Sequence, residues 1–373
     1  MDIPDTVVLW CPLPPAINAN WQRWERRTIA WMNSYSLDAE QREAGRLRGI
    51  VAGELAGRTI PGADDTAGAQ FSTDSLMWLF AFDDAYCDEG RYSHDPASMA
   101  ILAAEMGRTA ETGHAVQSSP LALALADLRQ RLTGLAGPVQ IDRWVRAMKE
   151  YLSYQVWEAA FRSTGRVPTF DQYAVARIRS GSMEVCTMTL DIAAGYEVSA
   201  VELNRPMIRA LSEMACALVG WDNDVASYFK EHERGDTRIN LLDSIAHQYA
   251  IDPAQALPLA IAFRDVVLAR FLQLSAEVTG LVAFHTRRYL DGLAAWIRGN
   301  LDWSANTARY RRAGSSTVAV SEVRTQPVWE GPLPPGIAWW WQPAAEDDCR
   351  NAQSPSNVLQ NSDLEAPRKL PGR

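Results

Sequence analysis

Between residues 72 and 311 the chain repeats one pattern: helix-length stretches of mixed apolar and polar residues, each closed by a breaker. The periodicity predicts helices at 72–85, 97–106, 119–134, 139–163, 169–194, 204–231, 237–249, 253–281 and 283–311. Gly134 and Gly137, Gly165 with Pro168, Pro206 and Pro253 punctuate them. A further helical pattern runs from Trp21 to about Leu55 and ends at the loop RTIPGADD, 58–65. There is no convincing strand series, no internal repeat and no glycine-rich phosphate loop. The expectation is an all-α protein, some ten helices in one bundle filling residues 1–314. The 373 residues exceed the usual single-domain range, but one all-helical core can use that length.

After Arg312 the character changes. Residues 315–348 are rich in proline and tryptophan, and are expected to pack on the domain, because Trp339, Trp340 and Trp341 exposed together would leave a sizeable apolar patch. Residues 349–373 are polar and proline-punctuated and read as a disordered tail.

Charge and cysteine usage narrow the function classes. A net charge of −9 argues against a nucleic-acid surface and against a polybasic membrane anchor, and suits a protein whose acidic clusters hold cations. Cys11, Cys87, Cys186, Cys216 and Cys349 show no metal-ligand spacing and no C-x-x-C, so a reduced cytoplasmic chain is the simplest expectation. The N-terminal MDIPDTVVLWCPLPPAIN has acids and prolines where a signal peptide needs a basic start and an unbroken apolar run. The longest apolar stretch, ALPLAIAFRDVVLARFLQL, is interrupted by Arg264, Asp265 and Arg270, so membrane insertion is not expected.

Four local patterns carry chemistry. In FAFDDAYCDEG, Asp83, Asp84, Asp88 and Glu89 crowd the end of an apolar helix. Carboxylates there oppose the helix macrodipole, a conflict that a bound cation would remove. Asp84 and Asp88 are four apart on one helix face, with Asp83 beside them; hard oxygen ligands of this kind suit Mg²⁺. In ALVGWDNDVASYFKEHERGD, Asn223, Ser227 and Glu231 recur every four residues, so an amide oxygen, a hydroxyl and a carboxylate line one stripe, with Lys230 alongside to meet an anion. In YAVARIRSGSMEV, Ser180 and Gly181 break a helix one turn after Arg177, with Arg179 as the competing anion-binding arginine. Near the end of the helical pattern, Arg309 and Tyr310 offer a guanidinium fork and a phenol to one anion. Each pattern alone is also what a solvated helix end or polar face looks like.

Their order and intervals resemble the class I terpene synthases of bacteria, over roughly residues 10–312, through DDAYCDE, RIRSG, NDVASYFKE and ARY in turn, with GNLDW before the last. The resemblance implies the all-α class I terpene synthase bundle and a terpene cyclase. It implies that Asp83, with Asp84 or Asp88, bridges two Mg²⁺, that Asn223, Ser227 and Glu231 hold a third, and that Arg177, Lys230, Arg309 and Tyr310 bind the diphosphate. Ser180 and Gly181 match the linker and effector positions at the helix break. Cys87 stands where the family's motif usually has its last aspartate and Asp88 follows, leaving open which of Asp84, Asp88 and Glu89 ligates metal. The YCDE ending is similar to the YCED ending of 2-methylisoborneol synthases, without the proline-rich N-terminal extension usual in those enzymes.

The implied reaction ionises a prenyl diphosphate, cyclises the allylic cation and releases diphosphate. Phe80, Trp296 and Trp303 are the expected aromatic wall, able to stabilise passing positive charge by cation–π attraction, and are otherwise plain core residues. Farnesyl diphosphate, giving a sesquiterpene, is the favoured substrate. Geranyl or methylated geranyl diphosphate, or a diterpene precursor, are alternatives. A chain-elongating prenyltransferase would carry a second aspartate-rich motif in place of Asn-Ser-Glu, a proton-initiated cyclase would need D-x-D-D, and a catalytically silent isoprenoid-binding protein would not need the full metal and anion set. The oligomeric state stays open, a homodimer included.

Overall fold

The computed structural model describes residues 6–40, 45–87, 90–233, 239–307, 309 and 317–342. Asp88, Glu89, Tyr310 and the expected disordered tail, 349–373, lie outside the described residues. Helices dominate: α1 (Trp21–Ser34), α2 (Ala52–Thr59), α3 (Ala67–Tyr86), α4 (Pro96–Thr112), α5 (Pro120–Thr133), α6 (Pro138–Thr164), α7 (Phe170–Ser180), α8 (Met183–Thr187), α9 (Leu190–Ala193), α10 (Ala200–Leu203), α11 (Pro206–Glu233), α12 (Leu241–Tyr249), α13 (Pro253–Thr279) and α14 (Phe284–Asn306).

Capping chemistry sets the boundaries. Asp95, Ser119 and Thr169 accept from the backbone N–H groups of Ser98, Ala122 and Gln172, and prolines open α4, α5, α6 and α13. The expected 72–85 helix begins earlier, at Ala67, because Thr66 caps it through the Ala69 N–H. The expected 283–311 helix stops at Asn306. The helical pattern of 21–55 is divided: α1 and α2 are joined through short 3₁₀ turns at Leu37–Glu40 and Leu47–Ile50.

α3 is the central rod. It is buried almost all round from Gly68 to Tyr86, which is why its sequence carries no polar face. α1, α2, α5 and α9 pack around it; α11 lies against α7, α13 and α14. α2 is squeezed against α14 at Gly299, where a Cβ would stand 2.7 Å from the Arg58 carbonyl oxygen.

The bundle also carries one pair of short strands. β1 (Thr6–Trp10) pairs in parallel with β2 (Thr317–Ser321), Thr6 opposite Thr317 and Trp10 opposite Ser321. Each strand is five residues long and its partner is at the far end of the chain, so neither forms a series in the sequence. Arg264, fully buried on α13, donates to the Trp10 carbonyl and binds Asp222 of α11 through contacts of 2.7 and 3.2 Å. Beyond β2, Trp340 is fully buried; its indole N–H donates to Glu213 at 3.1 Å, and Arg270 Nε donates to its carbonyl at 3.1 Å. Arg264, Asp265 and Arg270, which interrupt the longest apolar stretch, are therefore interior ties. Among the described residues no helix is long and apolar enough to cross a membrane.

Candidate active site

One cavity, about 910 Å³ with its open mouth included, lies between α3, α6, α7, α8, α11 and α14. Asp83, Arg177, Ser180, Gly181, Asn223, Ser227 and Arg309 line it, together with Phe80, Trp296 and Trp303. Residues spread over 230 positions of sequence thus meet at one place.

Asp83 arrives at the C-terminal end of α3, its side chain partly exposed and 3.7 Å from Arg309. Its neighbour Asp84 points elsewhere. Asp84 is buried and does not line the cavity; its Oδ1 accepts from Arg46 at 2.7 Å, and Arg309 forks onto both oxygens at 3.0 Å. A bidentate guanidinium–carboxylate pair of this kind is strong and directional. The guanidinium of Arg309 also lies 5.0 Å from the Phe80 ring centroid, and that ring is 5.6 Å from Trp303.

The helix break falls where the sequence placed it. α7 ends at Ser180, α8 starts at Met183, and the left-handed residue is Ser182, with φ of 59°, while Gly181 keeps φ of −74°. Gln155 of α6 donates to the freed Ser180 carbonyl at 2.9 Å. Arg177 and Arg179, two positions apart, face opposite ways. Arg177 Nη2 reaches Asp224 at 2.7 Å and Asn223 Oδ1 at 3.2 Å. Arg179 turns away from the cavity to Glu150 and Glu184, at 2.8 and 2.7 Å. Asp224 also accepts from Tyr173 at 2.6 Å; burial pushes its carboxyl up to about 6, with Arg177 pulling the other way.

Asn223 and Ser227 are one turn apart on α11. The Ser227 Oγ is buried without a hydrogen-bond partner among the described residues. An orphaned buried hydroxyl one turn from an amide oxygen, with the Asp83 carboxylate lining the same cavity, is a donor set suited to a hard cation. Lys230 and Glu231 lie on the same helix, but their side chains are outside the described residues.

Several cavity residues carry no motif. Tyr151 and Glu158 come from α6, where nothing in their spacing marks them. Gly220 gives room to Arg177: a Cβ there would sit 3.1 Å from its Cγ. Asn300 stands within the GNLDW stretch, yet as an amide among tryptophans it reads as ordinary helix. The pairing of Arg177 with Asp224, and of Asp84 with Arg46, is invisible without the fold.

The arrangement has a polar, cation-accepting rim and an aromatic interior. Such a site can neutralise a multiply charged anion at one end while keeping an apolar chain away from water at the other.

Comparison with known proteins agrees with this geometry. The family described as terpene synthase family 2, C-terminal metal binding, matches residues 74–262, just over half of the chain. The (+)-(1(10)E,4E,6S,7R)-germacradien-6-ol synthase of Streptomyces pratensis is 32% identical over 341 residues, covering 89% of this chain and 95% of that protein. The (+)-T-muurolol synthase of Streptomyces clavuligerus, named as cyclising (2E,6E)-farnesyl diphosphate, is 33% identical over 94% of this chain and 86% of its own. Among solved structures, the SVS_A2 protein from ancestral sequence reconstruction superposes with a TM-score of 0.79 at 30% identity, over 93% of this chain and 99% of that one. With the helical bundle, the cavity and these relatives in agreement, the chain belongs to the class I terpene synthase family of bacteria and is a terpene cyclase.

Proposed function

We propose that this enzyme cyclises farnesyl diphosphate to a sesquiterpene, releasing diphosphate, with Mg²⁺ as its metal. The observation that carries the reading is that one cavity joins Asp83, Arg177, Asn223, Ser227 and Arg309 to the wall of Phe80, Trp296 and Trp303. The farnesyl preference is supported by the substrate in the name of the T-muurolol synthase.

In this reading Asp83, with Asn223, Ser227 and Glu231, holds the Mg²⁺ ions, three in number. Bound metal supplies charge neutralisation for the leaving diphosphate. The residues of the chain do the rest. Arg177, Lys230, Arg309 and Tyr310 donate hydrogen bonds to the diphosphate oxygens, favouring the separated charges of the ionised state over the intact ester. Arg309 leaves its fork on Asp84 to do so, and Arg46 remains to balance the buried carboxylate. Ser180 and Gly181 bring the C-terminal end of α7, with its partial negative charge, to the cavity wall, where it favours the developing allylic cation. Phe80, Trp296 and Trp303 exclude water and turn ring faces toward the allylic cation, each such contact worth about 0.5–2 kcal/mol.

The test is incubation of the purified protein with geranyl, farnesyl and geranylgeranyl diphosphates in Mg²⁺, followed by gas chromatography–mass spectrometry and diphosphate release. Farnesyl diphosphate is expected to give the highest kcat/KM and a C15 product. A higher kcat/KM for another chain length overturns the substrate, and full activity in EDTA overturns the metal.

A further inference from the structure

Three buried polar side chains of the cavity, Ser180, Ser227 and Asn300, hold an atom with no hydrogen-bond partner among the described residues. Ser180 and Ser227 belong to the residues assigned above to the helix break and the metal. Asn300 belongs to neither. It sits on α14, one turn after Trp296 and three residues before Trp303, on the aromatic wall. It is 4% exposed, and its Nδ2 has no hydrogen-bond partner among the described residues. The indole N–H of Trp303 cannot serve it, being a donor already given to the Ile50 carbonyl at 2.9 Å.

A buried amide left unsatisfied costs about 1–3 kcal/mol. An apolar side chain of the same size would remove that cost, so an amide at this position calls for a polar occupant of the cavity. A hydrocarbon chain offers none, and a carbocation cannot accept a hydrogen bond. Water can. A water accepting from Nδ2 keeps a second lone pair for a carbon electrophile, and Oδ1 can accept one of its protons. The two relatives described above are both named as synthases of alcohols, a germacradienol and a muurolol.

We propose that Asn300 positions a water molecule that captures a cyclised cation, so that this enzyme makes a terpene alcohol. The step balances simply. A water lone pair forms the new C–O bond, the cationic carbon becomes neutral, and the oxonium loses one proton to the diphosphate anion released by ionisation. No oxidant or reductant is required. The inference rests on the cyclase reading above but not on the substrate chain length.

The test compares wild type, Asn300→Leu and Asn300→Gln with geranyl, farnesyl and geranylgeranyl diphosphates in H₂¹⁸O. The readout is the ratio of alcohol to hydrocarbon among the turnovers that occur, so a change in rate does not blur it. Wild type is expected to give an alcohol carrying ¹⁸O, Asn300→Leu to lower the alcohol-to-hydrocarbon ratio at least tenfold, and Asn300→Gln to restore part of it. Should Asn300→Leu not fold, Asn300→Val supplies the same readout. A wild-type product that is all hydrocarbon, or an unchanged ratio in the apolar variant, overturns the proposal. Turnover of another diphosphate in place of farnesyl diphosphate overturns the substrate reading alone and leaves the ratio readable.

Discussion

At the scale of single residues, the site turns on which way a side chain faces. Arg177 and Arg179 are chemically identical and nearly adjacent, but only Arg177 enters the cavity. Arg177→Ala is expected to raise KM for the prenyl diphosphate and lower kcat/KM by about 10²–10³, the scale for loss of one preorganised donor to developing charge. Arg179→Ala should act mainly on thermal stability, because it strands Glu150 and Glu184. Steady-state kinetics and melting curves for the two variants check this, and a larger kinetic loss in Arg179→Ala would show that the register is wrong. Gly220→Ala makes a finer test. The added methyl meets Arg177 Cγ at 3.1 Å and Nε at 3.2 Å, so it should raise KM several-fold while leaving the melting temperature within a few degrees.

The helices and breakers show how far the sequence could be read. Periodicity and proline or glycine punctuation located α3 to α6, α11, α13 and α14 because each is a long segment with a chemical stop. The α7 break was legible because Ser-Gly in a helical pattern is costly. What escaped needed tertiary information. β1 and β2 are too short to announce themselves, Asp84 differs from Asp83 in being buried against Arg46 under the Arg309 fork, and Glu158 gives no pattern on α6. Glu184, opening α8, brings a pH dependence. Burial pushes its carboxyl up to about 7; Arg179 from α7 and Arg146 from α6 pull it down, while Glu150 from α6 and Glu213 from α11 push it up. A carboxyl whose folded pKa is raised stabilises the fold fully below its unfolded value, ~4.3, and loses that contribution as pH rises through about 7. Glu184→Gln should therefore melt closer to, or above, wild type at pH 8 than at pH 5. Parallel melting-temperature profiles across that range would sink the assignment.

At the scale of the whole molecule, two segments far apart in sequence are tied to one helix. Arg264 binds the carbonyl of Trp10, and Arg270 binds that of Trp340, so one helix grips both segments from inside the core. Trp340→Ala is expected to cost about 3–5 kcal/mol, measurable by denaturant unfolding, since it empties a large buried site and leaves Glu213 short of a partner. Truncation after Gly314 removes β2 as well and should lower the melting temperature further. No residue of 317–342 lines the cavity, so whatever activity survives should keep its product ratio. A shifted ratio in the truncated enzyme would mean that the segment shapes the cavity from a distance. The parallel pairing of β1 with β2 also sets an order of events during synthesis. The hydroxyls of Thr6 and Thr317 meet at 3.1 Å across 311 positions. The first strand therefore waits for a partner made 311 positions later. At ~5–20 residues per second, that wait is on the order of fifteen seconds to a minute. Throughout it, an apolar strand edge is open to pairing with another chain, and only the distant second strand closes it.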